Sequence, residues 1–157
     1  MNKIHLDILM NMAFGAASRS KAERRKVGFV LVDANDAVID YGYNGSVRGH
    51  EIDVPEFKVR DTQCPTHSDA QGPYEPVTDD SMMIHAEWNA IAHAARRGIS
   101  TQGGSGVGTA SPCMKCTGLL IQCGLKEVIY ADKHRSFDEV EKTYGRYIKL
   151  TKWNSNE

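Results

Sequence analysis

Residues 112–131 read PCMKCTGLLIQCGLKEVIYA. Pro112 suits the start of a helix, where its missing N–H is not needed. From Met114 to Cys123, Leu119, Leu120 and Cys123 give one apolar face, and Gly124 closes the helix. Lys126–Ala131 (KEVIYA) then takes on the β-branched and aromatic composition of a strand. A helix feeding a short buried strand is the building unit of an α/β domain.

The alternation continues outward in both directions. Ile4, Ile8, Leu9, Met12, Ala13 and Ala16 recur at helical spacing, which predicts an opening amphipathic helix over 4–17. SRSKAERRK (18–26) is a polar, basic loop. VGFVLV (27–32) is a short apolar run, Asp33-Ala34-Asn35-Asp36 a turn signal, and AVIDYGY (37–43) the returning strand of a hairpin. Residues 44–82, dominated by Gly, Pro, Asp and Thr, show no periodicity and read as a long loop insertion. Beyond His85, Ala86, Ala90, Ile91 and Ala94 form an Ala-rich helix ending at Gly98, with Arg96 and Arg97 complementing the dipole of its last turn. QGGSGVG (102–108) is a strand or loop whose glycines hide its limits. Ser136–Tyr144 reads as a helix and Tyr147–Trp153 as a last strand. The pattern predicts a single α/β domain over 1–157 with a mixed sheet and an insertion at about 44–82.

Composition removes several functions. The chain has 157 residues, of which 41% are apolar, enough for an ordinary core. No stretch approaches the roughly 20 apolar residues that cross a bilayer. MNKIHLDILM carries an acid and a His within its apolar run and no small-residue cleavage site, unlike a secretory signal, so the expected compartment is the cytoplasm. Lys+Arg 19 against Asp+Glu 20 gives a net charge of −1, which disfavours a binder of long nucleic acid polymers. Of Cys64, Cys113, Cys116 and Cys123, two form a C-x-x-C, which in a reducing compartment favours metal or redox chemistry over a disulfide.

Two short motifs carry the chemistry: His85-Ala86-Glu87 and Pro112-Cys113-Met114-Lys115-Cys116. A catalytic Zn²⁺ takes three protein ligands and leaves its fourth position to water. Cys113 and Cys116 lie one helical turn apart, in a first turn whose N–H groups favour thiolate. His85 supplies the third ligand, and Glu87 is placed to exchange protons with the water. A lone H-x-E says little, and a lone C-x-x-C is more often structural zinc or a redox pair. A structural site, however, needs a fourth ligand, and Cys123 reads as core. A redox pair would leave His85 and Glu87 without a task. H-x-E…P-C-x-x-C is the signature of zinc-dependent nucleobase deaminases, in which water attacks C4 of cytosine or C6 of adenine. Glu87 would take the water proton, deliver it to the ring nitrogen and help ammonia leave.

With HAEWNAI (85–91), SPCMKC (111–116), LLIQCGLKEVIY (119–130), KVG (26–28) and GYNG (42–45), the sequence resembles the deoxycytidylate (dCMP) deaminase family of the cytidine deaminase superfamily. The resemblance implies a three-layer α/β/α fold with a five-stranded mixed sheet. It implies conversion of dCMP to dUMP and ammonia, supplying dUMP for thymidylate synthesis. It also implies one Zn²⁺ per chain, a homohexamer and, in many members, activation by dCTP with Mg²⁺ and inhibition by dTTP. It maps His85, Cys113 and Cys116 onto the zinc ligands and Glu87 onto the proton shuttle. The Ala86 N–H and Ser111 carbonyl map onto the groups that grip the pyrimidine edge, and Asn44 onto a nucleoside contact. Asn both donates to and accepts from a sugar hydroxyl, and Gly42 and Gly45 would let the backbone turn sharply around it.

Arg24, Arg25 and Lys26 stand in the loop that approaches the nucleotide in the family. They are a source of cations for a phosphate, with a solvated basic loop as the alternative. His134 would stack on the base or contact phosphate, or be a surface histidine. The chain departs from the family pattern at Val47, where a Pro commonly follows GYNG-x in a loop linked to the effector site, and at the glycine-rich GGSGVGTA (103–110). Cys64, His67 and His50 raise half of a second zinc site with no evident fourth ligand, and ordinary loop residues are the plainer reading. Two alternatives stand beside dCMP: a zinc deaminase acting on cytidine, tRNA adenosine or single-stranded DNA, and a non-catalytic nucleotide-binding protein of the same fold. The neutral balance beside a basic loop favours a small anionic nucleotide.

Overall fold

Asn2 opens the first helix: its side-chain oxygen accepts the His5 amide at 2.9 Å, pairing a donor that the first turn leaves without an intrahelical partner. That helix, α1, runs Lys3–Ser18. The computed structural model describes residues 1–22, 25–47 and 83–154. All elements named here belong to the first of two units, Met1–Gly45 with His85–Glu157, the other being Ser46–Ile84. Arg24, His50, Cys64 and His67 lie outside the described residues, as does most of the expected insertion. Among the described residues no helix is long and apolar enough to cross a membrane.

The strands are β1 (Gly28–Val32), β2 (Val38–Tyr43), β3 (Ser105–Ala110), β4 (Glu127–Asp132) and β5 (Lys149–Lys152). They form one sheet in the order β2-β1-β3-β4-β5. β1 runs antiparallel to β2 and β3, while β3, β4 and β5 are parallel. The remaining helices are α2 (Ala86–Arg96), α3 (Met114–Gln122) and α4 (Phe137–Tyr144). Alternation along β1 feeds two cores. Val30 and Val32 pack with Leu9, Met10 and Ala13 of α1. Phe29 and Leu31 pack with Ala86, Ala90 and Ala94 of α2 and Leu120 of α3. Every residue of β1 is therefore buried, as a strand covered on both faces must be. This is the layered α/β/α arrangement around a five-stranded mixed sheet.

Helix α1 extends one residue beyond the predicted 4–17 at each end. The glycine-rich segment is a regular inner strand: Ser105, Gly106, Val107 and Gly108 pair with Val32, Leu31, Val30 and Phe29. Glycine normally weakens a strand, but here the missing side chains make room for a ring. A Cβ on Gly106 would lie 2.1 Å from Phe29 Cζ, and one on Gly108 3.2 Å from Phe29 Cδ2. Phe29 thus fills the space the glycines leave.

The chain does bend at Asn44, between Gly42 and Gly45, but the expectation that Gly42 serves that turn is corrected. Positive φ angles among the described glycines occur at Gly98, Gly103 and Gly124, not at these two. Gly42 lies within β2, where a Cβ would meet Ala86 O at 2.2 Å and Ala90 N at 2.6 Å. Its role is to let α2 press backbone to backbone on the strand.

Asp40 of β2 is only 16% exposed in its side chain and faces Arg97 Nη1 at 2.8 Å and His93 Nδ1 at 3.3 Å. Burial raises its carboxyl, but hydrogen bonds from the Tyr41 amide, Arg97 and His93 outweigh this and hold it below the ordinary 3.8. A depressed carboxyl stabilises the fold above its unfolded value, and that contribution is lost as pH falls through the folded value. We therefore expect Asp40→Asn to cost about 1–2 kcal/mol near neutrality. The gap between the melting temperatures of wild type and variant should narrow below about pH 4, where the wild-type carboxylate also loses its charge. A gap that stays constant between pH 7 and pH 3 contradicts this.

Candidate active site

Two helix starts meet at the end of the sheet. His85 precedes α2 with extended backbone (φ −68°, ψ 154°), and Cys113 precedes α3 in the same way (φ −76°, ψ 173°). Neither side chain caps its own helix, which leaves both available to face each other. Cys116 follows in the first turn of α3 and is fully buried. His85 Nδ1 lies 3.2 Å from Cys116 Sγ and 3.6 Å from Cys113 Sγ. The three ligand atoms all fall within 4.8 Å of one another.

Bond lengths of about 2.0 Å for Zn–N and 2.3 Å for Zn–S put the N···S edges of a tetrahedron at about 3.5 Å. The observed N···S separations match that edge, and one imidazole with two thiols is a donor set zinc prefers. The residues fit the metal.

Electrostatics agree with the geometry. The hydrogen bond from Cys116 holds the Cys113 thiol well below the ordinary thiol range, down to about 3, against the effect of burial and with help from His85. Cys116 is correspondingly pushed up, by its bond to Cys113 and by burial. The pair thus readily yields one thiolate. The same contact with Cys113 raises His85. Glu87, in the first turn of α2, is 4% exposed. Burial raises its carboxyl above the ordinary carboxylate value, and it interacts with His85 and with the Cys116 side chain. A buried carboxyl of raised pKa beside three ligand atoms is suited to taking and returning a proton.

The other expected residues stand in different relations to this centre. Ala86, directly after His85, and Ser111, two residues before Cys113, are both buried. Ser111 Oγ accepts the His134 amide at 2.8 Å, which ties the loop after β4 to the residue before Pro112. His134 Nδ1 lies 2.8 Å from Ser136 Oγ, and burial lowers its pKa. Asn44 spends its side chain on the chain itself: Oδ1 accepts the Val27 amide and Nδ2 donates to the Arg25 carbonyl, both at 2.8 Å. Arg25 and Lys26 are exposed, and Arg25 Nη2 lies 3.9 Å from Asp132 Oδ2 at the end of β4. Cys123 packs against the core on the α2–α3 side of the sheet, as expected.

Two residues were not singled out from the sequence. Ser20, buried, donates its hydroxyl to the Asn44 carbonyl at 2.7 Å. Thr109 Oγ1 accepts the Gly28 amide at 3.1 Å. Both are hydroxyls serving distant backbone, which no local pattern reveals.

The sequence profile described as "Cytidine and deoxycytidylate deaminase zinc-binding region" matches residues 4–132. The chain belongs to this family. Deoxycytidylate deaminase of Homo sapiens is 32% identical over 134 residues, covering 85% of this chain and 68% of that one. Probable deoxycytidylate deaminase of Drosophila melanogaster is 32% identical over 155 residues, covering 90% and 71%. The solved structure of dCMP deaminase from the cyanophage S-TIM5 in complex with dCMP and dUMP has a TM-score of 0.74 at 25% identity, over 98% of this chain and 99% of that one. This family member therefore carries a His/Cys/Cys cluster with a buried carboxylate at the joined starts of α2 and α3.

Proposed function

We propose that this protein is a cytoplasmic, zinc-dependent dCMP deaminase that hydrolyses dCMP to dUMP and ammonia. The observation that carries this reading is the buried Glu87 beside the His85–Cys113–Cys116 cluster. When bound there, zinc supplies Lewis acidity, which makes water a nucleophile near neutral pH. Glu87 accepts the proton that water gives up as oxygen adds to C4, and delivers it to the ring nitrogen. It then moves the remaining proton of the added hydroxyl to the amino group, so that C4=O forms, the C4–N bond breaks and ammonia departs. The Ala86 N–H and Ser111 carbonyl hold the pyrimidine edge and aim C4 at the water. Asn44, whose amide already holds Val27 and Arg25, contacts the sugar through its second N–H and lone pair, Arg24, Arg25 and Lys26 draw the phosphate, and His134 flanks the base.

The test is ammonia release from dCMP, deoxycytidine and a short deoxyoligonucleotide compared side by side. Strong preference for dCMP is expected; turnover of the nucleoside or the oligonucleotide in its place refutes the substrate assignment. Chelation should abolish turnover and lower the melting temperature, and added Zn²⁺ should restore both. Cys113→Ser should lose metal and stability together.

The same proposal extends to a single-domain subunit carrying the 44–82 insertion and to a homohexamer. Family resemblance supports both, together with activation by dCTP–Mg²⁺ and inhibition by dTTP. Turnover of dCMP measured with and without these nucleotides decides the last point: flat kinetics would mean that the loop bearing Val47 has no effector role.

A further inference from the structure

Helix α2 carries Glu87 and starts immediately after His85, so whatever fixes its position along β2 also fixes the site. Two of its side chains and that of Arg97, the residue capping its end, reach the outward carbonyls of that edge strand in sequence. Asn89 Nδ2 donates to Tyr43 O at 2.8 Å, His93 Nδ1 lies 3.2 Å from Tyr41 O, and Arg97 Nη1 donates to Ile39 O at 2.9 Å. The donors step by four along the helix while the acceptors step by two along the strand in the opposite direction. Four helical residues advance about 6 Å, and two strand residues advance between about 6 and 7 Å, so the two repeats stay in phase over three rungs. The middle rung also sets a tautomer: His93 Nδ1 faces only acceptors, Tyr41 O and Asp40 Oδ1, and so carries the proton.

We propose that Asn89, His93 and Arg97 act as a register ladder that sets where α2 sits along β2, with Asn89 the positioning residue for Glu87 and His85. Gly42 lets the helix reach the strand but does not stop it sliding along it. The three directional bonds do. Asn89 governs most because its rung lies within one turn of Glu87, and Arg97 governs least because it is the far rung and more than half exposed in its side chain.

The inference rests on the deaminase reading for its activity arm only, and the experiment separates the two. Wild type, Asn89→Leu and Asn89→His are loaded with Co²⁺, whose visible bands report the geometry of the imidazole and thiolate ligands. Asn89→Leu removes the donor at similar size and should shift the bands while still holding one equivalent of metal. With zinc it should lower kcat for dCMP about tenfold to a hundredfold with KM little changed, as a misplaced proton shuttle does. Asn89→His, which offers the same ring donor that His93 uses one rung away, should recover both. If Asn89→Leu does not fold, His93→Leu serves in its place, with a smaller band shift expected. Bands and kcat that match the wild type, or a loss confined to melting temperature, overturn the ladder. A wild type that binds Co²⁺ but releases no ammonia from dCMP refutes the functional reading instead, and the spectra still decide the ladder.

Discussion

Glu87→Gln will retain one zinc per chain and release ammonia from dCMP at least about a thousandfold more slowly than the wild type. The substitution preserves shape and hydrogen-bonding length, and the three ligand atoms belong to other residues. What it removes is a group able to take a proton from water and pass it to the ring. Burial has tuned that group, since a carboxyl 4% exposed binds a proton more readily than one in water. An amide neither gains nor loses a proton in this range, so the loss should fall on kcat and leave dCMP binding nearly intact. Metal analysis and steady-state kinetics on the same preparation check it. Near wild-type turnover by the glutamine variant would remove Glu87 from the mechanism, and loss of metal would mean that the carboxylate supports the ligands instead.

Gly42→Ala will damage the site through a single added methyl group. Its Cβ would stand 2.2 Å from one backbone atom of α2 and 2.6 Å from another, and neither belongs to a flexible side chain. The helix must retreat by about 1 Å, a displacement that can cost a hundredfold in rate when it moves a catalytic group. Overpacking should also lower stability by about 1–3 kcal/mol in urea. Gly15→Ala offers the contrast, because nothing lies within 4 Å of a Cβ there. On a helix that change should be neutral or stabilising by about 0.5–1 kcal/mol. A Gly42→Ala enzyme with wild-type kcat would show that the contact between α2 and β2 does not govern the chemistry.

How much could be read in advance depended on whether the partners of a residue were local. His85, Glu87, Cys113 and Cys116 declared themselves because a helix start imposes spacing, so ligands on its first turn leave a short motif. The helices over 86–96 and 114–122 were legible from apolar period and terminating glycine for the same reason. The limits of β3 were not, because its glycines answer to the ring of Phe29 on another strand. Gly42 was misread as a turn residue since GYNG looks like one locally, while the helix that needs its hydrogen lies some forty residues on. Asn44 shows the same limit: both ends of its amide are engaged by Arg25 and Val27 across a loop. Which groups contact a nucleotide was the least legible of all, because the motifs name residue types and only the fold assigns their hydrogen bonds.

The three carbonyls of β2 that α2 engages have a consequence for the company this sheet can keep. An edge strand ordinarily offers a row of unmatched polar groups on which a further chain can be added. Here the outward carbonyls of Ile39, Tyr41 and Tyr43 on one border are already engaged by Arg97, His93 and Asn89. The opposite border is β5, which is short and bears Lys149 and Lys152, a composition that resists growth by repulsion. Strand-on-strand growth is thereby discouraged from either side of the sheet among the described residues.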